Sequence, residues 1–368
     1  MADKVGAIAR HALSAGNEVS ARSAFLRSAQ YYDQTLFFIL GTRTPEHEAA
    51  LYRQMDQRWR AAPRPFNPPS EPVRISGNGA TMPGYFLSAG LKAQRRTVIV
   101  TNGSDAQNVD VYAFGGAAAV ERGWNALIFE GPGQGAMLFE RKIPFRPDWE
   151  NVISPIVDFL YDRRGVDTSR IALTGWSFGG ALVIRAAAFE TRLAAVCADP
   201  GYVSDWGAFP ASLRGLLRKG ATKQEVNAIW QHDVVPHLTP RDRFTLAKRS
   251  EIFGPQYLDA AREGRMLEDF WGFPHTVMRY QVADVAARVK VPTLVTKYEH
   301  DAFFPGQGQR LYDLLTCPKT LATFTEAEGA SMHDAPLAPQ RHNQVVFDWL
   351  QATMKVPAGL SRPTAALP

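Results

Sequence analysis

Only two cysteines occur in 368 residues. Cys197 sits inside the apolar run Ala194–Ala198 and Cys317 stands beside Pro318. Two thiols so placed make no disulfide framework, and buried free cysteines are expected. Charge of one sign is equally thin. The formal net charge is +5, but the lysines and arginines are scattered among acids, and the densest cluster, Arg241 to Arg243, is short. That lacks the basic stripe with interleaved aromatics that a nucleic-acid partner requires. No apolar run approaches the length of a membrane span, so no membrane partner is expected. Met1–Gly6 carries no apolar stretch followed by a small-residue cleavage site, and the expectation is a cytoplasmic protein. There is no HExxH, and His232 and His237 have no third ligand at useful spacing, so the expected metal count is zero. The glycine-rich Glu130-Gly-Pro-Gly-Gln-Gly135 is not followed by G-K-[ST], which excludes a P-loop; no cofactor is expected.

What is present is enough apolar sequence, 45% of residues against 21% charged, to bury one large core and an extra subdomain. Residues 1–70 read as helical. Phe25, Leu26, Tyr31, Leu36, Phe37 and Leu40 recur at helical spacing, and the prolines of Ala62–Pro69 then read as a linker. From 71 the pattern changes. Strands are predicted near Val73–Ser76, Gly84–Leu87, Thr97–Thr101, Ala126–Phe129, Ile171–Thr174, Ala194–Ala198, Thr293–Thr296 and Leu321–Phe324. The helical candidates among them are Val109–Arg122, Trp149–Arg164, Phe178–Glu190 and a closing one around Gln340–Leu350. Such alternation implies an α/β protein with a mostly parallel, eight-stranded sheet flanked by helices, and the first two strands as an antiparallel edge. The core is assigned to 71–200 and 288–355, a helical cap insertion to 201–287, and a flexible tail to 356–368. The insertion is rich in aromatics (Trp206, Phe209, Trp230, Phe270, Trp271, Phe273). They suit a bulky apolar ligand, although aromatics at helical spacing also read as core.

The sharpest motif is Gly175-Trp-Ser-Phe-Gly-Gly180, a G-x-S-x-G nucleophile elbow with a predicted strand entering and a predicted helix leaving. The tight turn forces the serine into strained backbone angles and lifts its hydroxyl to a helix N-terminus. A serine hydroxyl is a weak nucleophile alone, so a base and an orienting acid are sought downstream. Asp301, at the end of the Thr293 strand, is the candidate acid, with Glu299 as its rival on the same face of an extended run. His333, in the loop Glu328–Asp334, is the candidate base; His342 falls in the closing helix and reads as a packing residue. Oxyanion donors are expected from the backbone N–H of Phe178 and, in the loop Asn102–Asp105, from Ser104 or alternatively Asp105. Glu130 and Asp199 each end a strand on the same sheet edge. Glu130 is a candidate supporting group, and Asp199 either positions substrate or forms a turn.

Taken together, Tyr31-Tyr32 in a helical N-terminal region, Glu130–Gly135, Gly175–Gly180 and Glu328-Gly-Ala with His333 resemble the 2,6-dihydroxypseudooxynicotine hydrolase group of the α/β-hydrolase superfamily. Fungal hydrolases that shorten polyketide pigment precursors are similar. The resemblance covers about residues 20–350. It implies a Ser177–His333–Asp301 triad, cleavage of a carbon–carbon bond beside a ketone in a small-molecule substrate, a homodimer, and a site covered by the N-terminal helices. The same elbow serves esterases and lactonases, and a non-hydrolytic polyketide cyclase or a binding protein with an idle triad would share the fold.

Overall fold

The computed structural model describes residues 1–355 apart from 63, 65, 67–69, 78, 91, 218 and 219; most of the linker prolines and the tail from 356 lie outside the described residues. Strand position follows from apolar content. Where every residue is buried, as in β4 (Asn125–Phe129) and β6 (Ala195–Asp199), the strand has neighbours on both sides and helices on both faces. β5 (Val166–Trp176) is likewise sealed from Ile171 onward, whereas β1 (Glu71–Gly77) alternates buried and exposed residues at the sheet's edge. With β2 (Ala80–Leu87), β3 (Arg95–Thr101), β7 (Thr293–Tyr298) and β8 (Lys319–Phe324), they form one sheet in the order β1-β2-β4-β3-β5-β6-β7-β8. β2 pairs antiparallel with both its neighbours and every other pairing is parallel. The carboxyl ends of β3, β5 and β7 therefore open on one edge, the place where sheets of this kind bind ligands.

Three helices precede the sheet: α1 (Ala2–Ser14), α2 (Glu18–Phe38) and α3 (Glu48–Ala61). They are pinned to each other and to the core by polar contacts as well as packing. Ser28 donates to the Ala2 carbonyl at 2.8 Å, Gln30 to Asp110 at 2.7 Å, and Tyr52 to the buried Glu130 carboxylate at 3.0 Å. Behind β3 the predicted helix from Val109 to Arg122 is not continuous. A π turn over Tyr112–Gly116 divides Asn108–Val111 from Ala117–Glu121; apolar spacing alone does not distinguish i+4 from i+5 bonding.

Between β6 and β7 the chain is mainly helical. The helix Pro240–Ser250 begins where Thr239-Pro-Arg-Asp242 supplies a reciprocal capping box and a proline in the first turn. Trp230, Phe270 and Phe273 are fully buried, and Trp230 and Phe270 stack at 4.3 Å, so these aromatics are core. The segment meets the N-terminal helices in a buried charge cluster. Lys248 donates to Glu251 at 2.7 Å, and Arg262 donates to Glu48 of α3 at 2.8 Å. Burial pushes the Glu251 carboxyl well above its usual range, the Glu48 charge adds to this, and Lys248 opposes it. Among the described residues, no helix is long and apolar enough to cross a membrane.

Candidate active site

The turn from β5 into the helix Gly179–Ala187 carries Ser177 at φ 50°, a left-handed conformation that a non-glycine residue rarely adopts. Two features hold it there. The Ser177 N–H donates to the Asp199 carbonyl at 2.7 Å, tying the turn to the end of β6. The neighbouring backbones also crowd in: a Cβ on Gly180 would collide with the Pro200 carbonyl, and one on Gly103 would lie 2.8 Å from the Ser177 Cβ. Glycine at 180 is thus required by the next strand's loop, and glycine at 103 by the serine itself.

Three elements converge on that hydroxyl. His333 follows β8 in a loop and brings Nε2 to 2.9 Å from Ser177 Oγ. Its Nδ1 lies 3.1 Å from Asp301 Oδ1, just beyond the end of β7. With the proton on Nδ1, the imidazole donates to Asp301 and accepts from Ser177. Asp301 Oδ1 also accepts from the N–H groups of Phe303 (2.8 Å) and Phe304 (3.0 Å). Burial raises the Asp301 carboxyl, but the bond and charge of His333 and these two N–H groups outweigh it, leaving the group below its ordinary value. Burial depresses His333, yet the Asp334 charge and the bond and charge of Asp301 reverse this and raise it above 6.5. A serine, an imidazole and a carboxylate in this relation can move a proton off the hydroxyl as it attacks a carbonyl.

Two cavities meet at Ser177. One, of about 170 Å³, is bounded by Phe178, Phe209, Ile252 and Phe253, with Asp205 as its acid. Burial pushes Asp205 up to about 7, against the Arg249 charge. The other, of about 360 Å³, is bounded by Phe37 of α2, Phe114, Trp176, His333 and Asp334. Ser177, Arg249 and Phe303 border both. The Phe303 ring lies between the His333 ring at 4.6 Å and the Arg249 guanidinium at 4.8 Å. Of the insertion's aromatics, Phe209 faces the hydroxyl's surroundings while Trp230, Phe270 and Phe273 do not.

Ser104 and Phe178 border the smaller cavity beside Ser177. The Ser104 hydroxyl accepts from Arg249 at 3.0 Å, and the Asp105 carboxylate is paired with the same guanidinium. Burial raises Asp105, but the Arg249 and Lys248 charges and the hydrogen bonds of Arg249 and Ser104 together outweigh it, and the group sits below its ordinary value. Three of the candidate side chains stand away from the Ser177 hydroxyl. Glu299 is exposed and accepts from the Glu326 N–H at 2.8 Å, pointing away from His333, because the chain turns as soon as β7 ends. Glu130 borders neither cavity. It accepts from Tyr52, Asn108 and the Ala136 N–H, and burial pushes it up to about 7. The Asp199 side chain is sealed beneath the site, accepting from Thr296 and from Tyr298 at 2.5 Å, with His342 Nε2 2.5 Å from its other oxygen. His342 is correspondingly buried and paired with an acid. Burial lowers it, but the charge and hydrogen bond of Asp199, with the Asp334 charge and the Asn343 side chain, together raise it above its ordinary value.

Sequence reasoning missed Arg249, Asp205 and Asp334. Arg249 and Asp205 carry no local signal, since both reach the site through folding of the insertion. Asp334 had one, its position directly after His333. Among the described residues no group of three or more His, Cys, Asp or Glu side chains is placed to hold a metal ion.

A mostly parallel sheet with a serine-bearing turn at the end of its fifth strand, and a histidine and an aspartate arriving from later strands, defines an α/β-hydrolase. The chain belongs to the Alpha/beta hydrolase family, whose model matches residues 108–349. It is 34% identical over 336 residues to the alpha/beta hydrolase psoB of Aspergillus fumigatus, covering 85% of this chain and 73% of that protein. It is 30% identical to the hydrolase LUC6 of a Fusarium species over 96% of this chain and 86% of that one. The chain spans about half the length of several other fungal hydrolases that it matches. Among solved structures, 2,6-dihydroxy-pseudo-oxynicotine hydrolase superposes with a TM-score of 0.68 at 20% identity, over 95% of this chain and 85% of that one, a likeness of fold.

Proposed function

We propose that the protein is a serine hydrolase that cleaves a carbon–carbon bond beside a ketone in a bulky aromatic or polyketide-like substrate. The observation that carries this reading is the contact of His333 Nε2 with Ser177 Oγ, backed by Asp301 at Nδ1. Ser177 attacks the carbonyl as His333 takes its proton, and Asp301 orients and stabilises the imidazolium. The N–H groups of Phe178 and Ser104 receive the oxyanion. The departing fragment leaves as a carbanion or enol that His333 protonates, and water, activated by the same histidine, releases the acyl group. The carbon–carbon assignment is supported by the sequence resemblance and by aromatic side chains around both cavities.

Two measurements test it. Ser177→Ala is expected to lower turnover of an aryl β-diketone by about three orders of magnitude or more, with an unchanged circular dichroism spectrum. A variant with near wild-type rates would sink the nucleophile assignment. Mass spectrometry of the products then separates the bonds: an acid plus a ketone from the diketone supports this reading, whereas turnover of esters alone supports a carboxylic ester hydrolase.

A further inference from the structure

We propose that the larger cavity receives the departing fragment of the substrate, and that Asp334 selects fragments presenting a hydroxyl or enol O–H. The inference rests on the acyl-transfer reading above. A carbonyl carbon bonded to Ser177 Oγ has two substituents, and two cavities meet at that atom. The cavities are not equivalent, because His333 borders only the larger one. Whichever fragment departs must take its proton from the imidazolium, so it occupies the side on which the imidazole stands. The acyl portion is then left in the smaller cavity, against Ile252, Phe253 and Phe209.

Asp334 also borders only the larger cavity. Its Oδ2 lies 3.4 Å from His333 Nε2, and its Oδ1 is buried with no hydrogen-bond partner among the described residues. Asp334 and Ala335 adopt φ values of 60° and 47°, left-handed for both, so the turn after His333 sets the direction in which the Asp334 side chain leaves the backbone. A carboxylate offers acceptor sites alone. The side chain is about one-fifth exposed and Oδ2 has no hydrogen bond among the described residues, so Oδ2 is the oxygen that a donor on the ligand meets, and Phe37, Phe114 and Trp176 on the same cavity suit a flat ring or conjugated chain. Burial pushes Asp334 up to about 7, with the His333 and His342 charges opposing and the Asp199 and Asp301 charges adding to the rise. In the cleavage step the Oγ–carbon bond forms and the carbon–carbon bond breaks. The electron pair moves into the fragment as an enolate, and His333 returns the serine proton to carbon. The fragment's own hydroxyl donates to Asp334 throughout.

Ligand-observed NMR titration of 2-hydroxyacetophenone and acetophenone tests this. The wild type and Ser177→Ala are expected to bind the hydroxylated ketone at least about tenfold more tightly, a difference of about 1.4 kcal/mol. In Asp334→Ala that preference disappears while acetophenone binding is unchanged, and Asp334→Asn, which keeps a carbonyl acceptor, restores part of it. Equal binding of the two ketones by the wild type, no binding of either, or a preference surviving in Asp334→Ala overturns the proposal. Because binding breaks no bond, selective binding without diketone cleavage would count against the carbon–carbon reading and leave this one standing.

Discussion

His333 works between two carboxylates, Asp301 at Nδ1 and Asp334 near Nε2, and each has a separable consequence. Asp301 fixes the tautomer, so Asp301→Asn is expected to reduce kcat by about three to four orders of magnitude, whereas Glu299→Gln changes it by about twofold or less, as for an exposed residue. Steady-state kinetics on one substrate decide between them, and the reverse ranking would reassign the acid. Asp334 acts on the other nitrogen. Its charge heads the causes that raise His333 above 6.5, with Asp301 and Asp199 adding to it. In the proposed mechanism His333 must be neutral to act as the base, so activity is expected to appear as pH rises through the folded-state value. Asp334→Asn lowers that value and should move the acid limb of the kcat/KM profile to lower pH; an unmoved limb would mean that Asp334 is uncharged when His333 titrates. The sequence displayed Ser177 through its glycines, and placed Asp301 and His333 through the strands that precede them. It left Glu299 open because residues two apart in an extended run share a face, and only the chain's turn after Tyr298 separates them. The pairing of His342 with Asp199, 143 positions apart, has no local signature at all.

At the scale of elements, the central strands were legible because buried parallel strands are nearly continuous apolar runs bounded by turns. The π turn and the docking of α3 were not, since they depend on contacts that spacing does not encode. That docking has a pH signature. Glu130 at the end of β4 accepts from Tyr52 of α3, and its folded-state pKa is raised to about 7 from an ordinary 4.5. Between those values the native state holds more protons than the unfolded chain, so this group's stability contribution is intact at low pH and is lost as pH rises towards 7. The loss amounts to about 3 kcal/mol at most. Glu130→Gln cannot ionise, and urea midpoints measured from pH 5 to pH 8 should fall less steeply in the variant than in the wild type. Parallel slopes would show that Glu130 titrates normally.

At the scale of the molecule, the N-terminal helices and the insertion share the buried cluster of Glu48, Lys248, Glu251 and Arg262. Lys248→Met leaves two buried acids short of a cation and is expected to cost about 3–5 kcal/mol, read as a lowered urea midpoint. Adding Glu251→Leu removes the stranded charge and should recover most of the loss; a double variant no better than the single one would refute this account. No sequence pattern announces the cluster, because its members come from segments some two hundred positions apart (Arg262 and Glu48 are separated by 214). The meeting of two cavities at one serine carries a kinetic corollary as well. On the proposed acyl-enzyme route, after the first product diffuses away the acyl group still occupies its own side, and the vacated side is open to whichever nucleophile arrives next. A small alcohol in the medium is therefore expected to compete with water for the acyl group, giving transfer product in proportion to the alcohol supplied.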